Sequence, residues 1–248
     1  MCTGSSHPAE DNALPVIPII LGPTGSGKTA LVVDLVRDGR LTGIEVVSAD
    51  SRQVYRFLDI GTAKPTEEER HTVPHHLVDI LDPSETYSAG RFRRDAEAVI
   101  AEILKRGSTP VVVGGTGLYL KALVDGLSPI PRVPVDVVDR LRAEITSTGP
   151  AALHERLQEL DSRCAATIQP TDTQRIIRAL AVHEATGKPL SRWWEEHPEK
   201  PPYRYVWLGI RWDRPQLRDR IARRTRAMIA CGLEREVRWL LDRGYTWE

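Results

Sequence analysis

No stretch of this chain reaches the roughly 18 consecutive apolar residues that a membrane-crossing helix needs, so no membrane partner is expected. Cysteine is scarce: Cys2, Cys164 and Cys231 are odd in number and form no CxxC pair, so neither a disulfide framework nor a zinc site is suggested. Net charge is missing as well, with 34 basic against 34 acidic residues. A neutral chain is not a bulk polyanion binder, and any nucleic-acid contact has to come from a local basic patch. The opening MCTGSSHPAEDNALP has neither a basic start nor a long apolar run. It reads as a disordered tail over residues 1–13 of a cytoplasmic chain rather than as a signal peptide. There is no internal repeat and no low-complexity block.

What is present suffices for one large domain, or for one domain carrying an insertion: 248 residues, 41% of them hydrophobic. Val16 to Leu21 is an apolar run followed at once by glycines, a buried strand feeding a loop. Thr29 to Arg37 has helical spacing, and Gly39 ends it. Ile44 to Ala49 is a second strand with Asp50 at its end, and Asp59 to Glu69 is polar and broken by Pro65. A short strand is expected over Leu77 to Leu81. Ser88 caps a helix over Ala89 to Arg106, with Phe92, Ala96, Val99, Ile103 and Leu104 as its apolar stripe. Pro110 to Val113 is a third strand. The pattern then breaks at the proline-rich SPIPRVPVD, and Val135 to about Pro202 shows helical periods only. Tyr205 to Ile210 is again a strand, and Gln216 to Arg243 one or two helices. The expected fold is therefore α/β: a P-loop NTPase-like parallel sheet core flanked by helices (14–130 and 203–248), with a helical insertion at 131–202.

The string Gly22-Pro23-Thr24-Gly25-Ser26-Gly27-Lys28-Thr29 matches GxxxxGK[ST] between a predicted strand and a predicted helix. Glycines let backbone amides turn toward phosphate oxygens at the positive end of a helix. Lys28 neutralises the distal phosphate, and the Thr29 hydroxyl suits Mg²⁺. The loop says that a di- or triphosphate binds, not which one. Asp50, at the end of the second strand, has three readings: metal partner of Thr29, general base, or loop-capping carboxylate. A hydrolytic NTPase usually carries an acid after a later strand. Here that strand runs into Gly114-Gly115-Thr116-Gly117, which weakens an ATPase reading. The glycines there permit close approach to a ligand, or make a tight turn only.

Seven arginines (211, 214, 218, 220, 223, 224, 226) face two acids between Arg211 and Arg226. Most are expected on a solvated face, but Arg220 and Arg224, four apart, share a side that suits a phosphate. Gln174, Arg175, Ile176, Ile177 and Arg178 lie on an insertion helix that reads as a surface helix. His75-His76 reads as structural or surface. Trp193-Trp194 stacks a base or packs the insertion.

Taken in order, GPTGSGKT, SADSRQVY (48–55), DIGTAKP (59–65), PHHLVDILDP (74–83), YSAGRFRRDA (87–96), VVGGTGLYLKAL (112–123) and DTQRIIRALAV (172–182) resemble the tRNA dimethylallyltransferase, or tRNA isopentenyltransferase, family. The resemblance implies a P-loop core with a helical insertion that grips the tRNA anticodon arm. Dimethylallyl diphosphate would sit where kinases hold ATP phosphates, with Mg²⁺, and the acceptor would be the exocyclic amine of the adenosine 3′ to the anticodon. Asp50 would be the general base and Thr116 would position the reacting centre. Lys28 and one of Arg220 and Arg224 would hold the diphosphate. Asp50, Ser51, Arg52, Gln53 and Gln174 to Arg178 would contact tRNA. The family's members usually continue some tens of residues beyond the Tyr245–Glu248 stretch with which this chain closes. A monomer is expected. The rival readings are a P-loop small-molecule or nucleotide kinase, a prenyltransferase acting on free adenylate, and a non-catalytic nucleotide- or RNA-binding module.

Overall fold

Three runs of mostly β-branched residues form the middle of one parallel sheet: β1 (Val16–Leu21), β2 (Ile44–Ala49) and β4 (Thr109–Gly114), with β3 (His75–His76) and β5 (Arg204–Gly209) at the edges. The order is β3-β2-β4-β1-β5 and every pairing is parallel. Continuous apolarity is what a strand covered on both faces requires, and Ile17, Ile19, Val47 and Val112 are fully buried. The structure, a computed structural model, describes residues 14–196 and 201–246, so the tail expected over 1–13 lies outside the described residues.

The sheet is covered by α1 (Lys28–Arg37), α3 (Ala89–Lys105) and α4 (Gly117–Asp125), and α2 (Glu67–Thr72) packs against α1. Ser88 caps α3, its hydroxyl accepting from Arg91 N–H at 3.2 Å. The helix buries Phe92, Ala96, Ile100 and Ile103, while Val99 and Leu104 pack at the core's margin. Two local expectations are corrected. Leu77 to Leu81 is not a strand: Leu77 and Asp79 have φ near +60°, which no strand tolerates, and the sheet takes His75–His76 instead. The polar stretch before it contains α2, started by a reciprocal cap between Thr66 and Glu69.

By contacts the chain divides into two units, Met1–Asp125 with Lys200–Glu248, and Gly126–Glu199. The second holds α5 (Val135–Thr148), α6 (Pro150–Leu160), α7 (Ser162–Ala165), α8 (Thr173–Thr186) and α9 (Leu190–Trp193) around its own apolar core. Asp161 is buried there and ties two segments together, accepting from Cys164 N–H at 3.0 Å and Ser191 N–H at 2.8 Å. In the first unit, β5 is followed by α10 (Arg214–Ala230) and α11 (Leu233–Asp242). Val206, Trp207 and Leu208 of β5 are exposed. None of the described helices is long and apolar enough to cross a membrane.

Candidate active site

Because every strand runs the same way, the loops after β1, β2 and β4 emerge at one edge of the sheet, where open α/β folds bind ligands. The first of these is Gly22 to Thr29. Gly25 (φ 79°) and Gly27 (φ 88°) adopt the left-handed region, which turns their amides inward and hands the chain directly to α1. Lys28 Nζ donates to the carbonyls of Gly22 at 2.8 Å and Pro23 at 3.1 Å. Burial lowers the Lys28 pKa and Arg224 pushes the same way, while the Asp50 carboxylate opposes both. The ammonium, the guanidinium and the carboxylate therefore sense one another across one space.

That space is a cavity of about 220 Å³. Lys28, Thr29, Asp50, Gln53, Gly114 and Arg224 are among the residues that line it. Gly114 has no room for a side chain, since a Cβ would lie 2.2 Å from the Ala49 carbonyl oxygen. This glycine lets β2 and β4 close up at their ends and sets Asp50 beside the P-loop. Asp50 Oδ1 accepts from Arg52 N–H at 2.8 Å and Gln53 N–H at 3.3 Å. One oxygen thus shapes the turn, and among the described residues the second makes no hydrogen bond. Thr116 Oγ1 accepts from Ser51 N–H at 3.1 Å, pinning the loop after β2 to the loop after β4. Its hydroxyl proton stays available.

The arginine pair divides its work. Arg220 Nε donates to Gly25 O at 2.9 Å, and its guanidinium lies 4.3 Å from the Trp212 ring centre. Trp212 Nε1 donates in turn to Ser26 O at 2.9 Å. Arg220 therefore braces the P-loop from outside, whereas Arg224 lines the cavity with Asp50. An outer hollow beside Gly25 and Gly27 is formed by Arg220, Arg223 and Arg224. The sequence does not single out Trp212 or Arg223. A tryptophan just before an arginine-rich helix carries no local signal of its target.

The other expected site residues are placed as follows. Gln53 is committed internally: Nε2 donates to Thr62 O at 3.3 Å and Ala63 O at 3.1 Å. Arg52, Gln174, Arg175 and Arg178 are exposed. Ile176 (0% exposed) and Ile177 (9%) are core residues of the second unit. Their side chains cannot meet a macromolecule, and the expectation that they do is withdrawn. His76 Nε2 lies 2.7 Å from Glu45 Oε2 and His75 Nδ1 2.7 Å from the Val73 carbonyl, so both rings have structural partners. Trp193 packs against the core of the second unit with Lys188 over its ring, while Trp194 is exposed. Among the described residues no three His, Cys, Asp or Glu side chains form a metal cluster.

Fold and site together define a P-loop phosphate-binding α/β protein in which the strand beside the P-loop ends in glycines instead of the acid a hydrolytic NTPase carries. A family model described as IPP transferase matches residues 53–248, and one described as isopentenyl transferase matches residues 15–79. The chain belongs to the IPP transferase family. It is 49% identical over 232 residues to the tRNA dimethylallyltransferase of Roseiflexus castenholzii, covering 92% of this chain and 73% of that protein. The enzyme of the same name from Halorhodospira halophila is 51% identical over 228 residues, 91% of this chain and 72% of the relative. Among solved structures, a tRNA isopentenylpyrophosphate transferase from Bacillus halodurans superposes with a TM-score of 0.61 at 43% identity, covering 92% and 70% of the two chains. A eukaryotic dimethylallyltransferase acting on tRNA gives a TM-score of 0.74 at 29% identity, covering 94% and 58%.

Proposed function

We propose that this chain transfers a dimethylallyl group from dimethylallyl diphosphate to the exocyclic amine of the adenosine 3′ to the anticodon in tRNA. The observation that carries the reading is the shared cavity: P-loop residues Lys28 and Thr29 face Asp50 and Arg224 there, and β4 contributes glycine where a hydrolytic enzyme has an acid. Family membership supports a prenyl transferase, and the named relatives support tRNA as acceptor.

The residues fit the chemistry. The adenine amine is a weak nucleophile because its lone pair is delocalised into the ring. Asp50, through the oxygen not used by its turn, takes the amine proton as nitrogen bonds to the allylic carbon. The carbon–oxygen bond to the diphosphate breaks, and the negative charge that gathers on the leaving oxygens meets Lys28, the P-loop amides and Arg224. Thr116 holds the loop that carries Asp50. A Mg²⁺ ion would be held by the Thr29 hydroxyl together with the oxygens of the substrate diphosphate, leaving Asp50 to the amine. When bound, the ion adds positive charge beside the leaving group. The adenine has to leave its stack to reach Asp50. Ser51 and Arg52, with Gln174, Arg175 and Arg178 on α8, are the residues we assign to tRNA, and the chain is read as a cytoplasmic monomer.

The kinase alternative is separated by one assay. The protein is incubated with labelled dimethylallyl diphosphate, and separately with ATP, with and without tRNA. Label is expected in tRNA adenosine with release of diphosphate, and no ATP is consumed. Stoichiometric ADP release would overturn the assignment in favour of the kinase. Label accepted by free adenylate in preference to tRNA would move the acceptor.

A further inference from the structure

Residues 59–61 turn three consecutive backbone N–H groups onto one carboxylate. Glu236 Oε2 accepts from Asp59 N–H at 2.9 Å and from Ile60 N–H at 2.7 Å, and Oε1 accepts from Gly61 N–H at 2.9 Å. Three amides on one carboxylate form an anion nest, and each bond is charge-assisted. Gly61 admits the helix that brings Glu236: a Cβ there would lie 3.2 Å from Leu233 Cδ1 and 3.3 Å from Glu236 Oε1. Two further contacts hold α11 along its length and just beyond its end, Phe57 against Trp239 at 5.1 Å between ring centres and Tyr245 OH donating to Asp82 Oδ2 at 2.8 Å.

The nest leads straight to the reactive cavity. The two residues after it, Thr62 and Ala63, offer their carbonyls to Gln53, and Thr62, Ala63 and Pro65 line the cavity with Asp50. Ala63 sits at φ 47°, uncommon for a residue with a Cβ, and the turn around it is closed both by its own bonds, Ala63 N–H to Ile60 O and Lys64 N–H to Asp59 O at 3.0 Å each, and by the Glu236 clamp.

We propose that Glu236 is a positioning residue for the transfer reaction: by clamping the 59–61 amides it sets the cavity wall around Gln53 and Asp50, without touching the reacting atoms. The inference rests on the proposed prenyl transfer and deepens it by extending the acceptor-side machinery to α11.

Glu236→Gln keeps the shape but turns one acceptor into a donor facing N–H groups. Glu234→Gln, on the same helix and paired among the described residues only with Arg238 across one turn, is the control. Amide hydrogen exchange at 59–61 is expected to speed up by about tenfold or more in Glu236→Gln, the loss of hydrogen bonds to a charged group, and to stay unchanged in the control. In steady-state assays with tRNA and dimethylallyl diphosphate, kcat is expected to fall by between about ten- and a hundredfold, with donor affinity kept within about twofold. Glu236→Asp, which retains the carboxylate, recovers part of the loss. A purely structural role would instead lower donor affinity and turnover together with the melting temperature, and that result overturns the inference. Unchanged exchange at 59–61 overturns it as well, and needs no turnover to be read. A wild-type chain that transfers no prenyl group would sink the proposed function, while the exchange comparison would still judge the clamp.

Discussion

The two walls of the cavity take their local shape from different sources. The donor wall, Gly22 to Thr29, takes its shape from consecutive residues: two glycines at positive φ, a lysine lying back on its own loop's carbonyls, and a helix that starts at once, with Arg220 and Trp212 bracing it from outside. The facing wall, Asp50 to Pro65, is held by partners far along the chain. Ser51 depends on Thr116, Asp59 to Gly61 on Glu236, and Lys64 on Asp79. The donor wall is fixed mainly by backbone geometry and the facing wall mainly by carboxylates. A diphosphate is the same in every turnover and suits a rigid cradle. A base delivered by a large acceptor needs a wall whose shape several elements adjust together.

The largest expected effect tests whether Asp50 acts as a base or as part of the donor cradle. Asp50→Asn keeps the oxygen that accepts from Arg52 and Gln53 N–H, so the turn survives, but it cannot take a proton. Single-turnover prenyl transfer is expected to fall by about 10²- to 10⁴-fold, the usual cost of losing a general base. Donor affinity should hardly move. If donor binding weakened instead and high Mg²⁺ restored the rate, Asp50 would belong with Thr29 to the donor wall.

The same division decides how much could be read from the sequence. The P-loop, the strands β1, β2 and β4 and the cap of α3 depend on neighbours in sequence, and the structure has them within a residue or so of where they are expected. The facing wall depends on bonds spanning as many as 177 residues, and the outer braces of the P-loop span 195 and 186; no local pattern marks Glu236 as the clamp of Gly61 or Trp212 as a brace of Ser26. The stretch Leu77 to Leu81 looks like a strand because its side chains are apolar. Its backbone turns at Leu77 and Asp79 so that Asp79 can meet Lys64 and Arg70. Ile176 and Ile177 show the opposite error. They stand inside a motif associated with tRNA, and helical periodicity alone is enough to separate them from Gln174, Arg175 and Arg178.

A medium effect is expected where the facing wall relies on charge. The Lys64 side chain is 2% exposed and pairs with both Asp59 and Asp79. Burial pushes the Asp79 carboxyl up, but Lys64 and Arg70 outweigh it and hold the group below its ordinary 3.8. Its contribution is therefore complete above 3.8 and is lost as pH falls from there through the lowered folded value. Asp79→Asn should cost about 2 kcal/mol, less than a fully broken buried pair, because Asp59 still faces the lysine. Denaturant melts of both proteins from pH 7 down to pH 2.5 check this: the gap should narrow as the wild type loses the charge. A gap that stays constant would mean that Asp79 works by shape, and the contrast between the walls would lose its electrostatic half.

The smallest effect concerns how far the acceptor surface extends. Arg175 and Arg178 are exposed on α8, and Arg175 has only a 3.4 Å surface pair with Asp172 to give up, an interaction of little net stability. Replacing both with alanine should leave the fold intact, since the buried side of the helix is Ile176, Ile177 and Leu180. If both meet phosphates, tRNA affinity falls by about tenfold, and the slope of log K against log salt drops by about one for each phosphate no longer met. Donor affinity, measured without tRNA, should be the same as in the wild type. The informative quantity is the slope, because weaker binding at constant slope would point to a base contact or to a shape change in the helix. A double variant with unchanged tRNA binding would remove both arginines from the acceptor surface and leave it to Gln174 and the loop after β2. A variant that no longer bound the donor would show that α8 influences the P-loop, and the separation of donor and acceptor surfaces would fail.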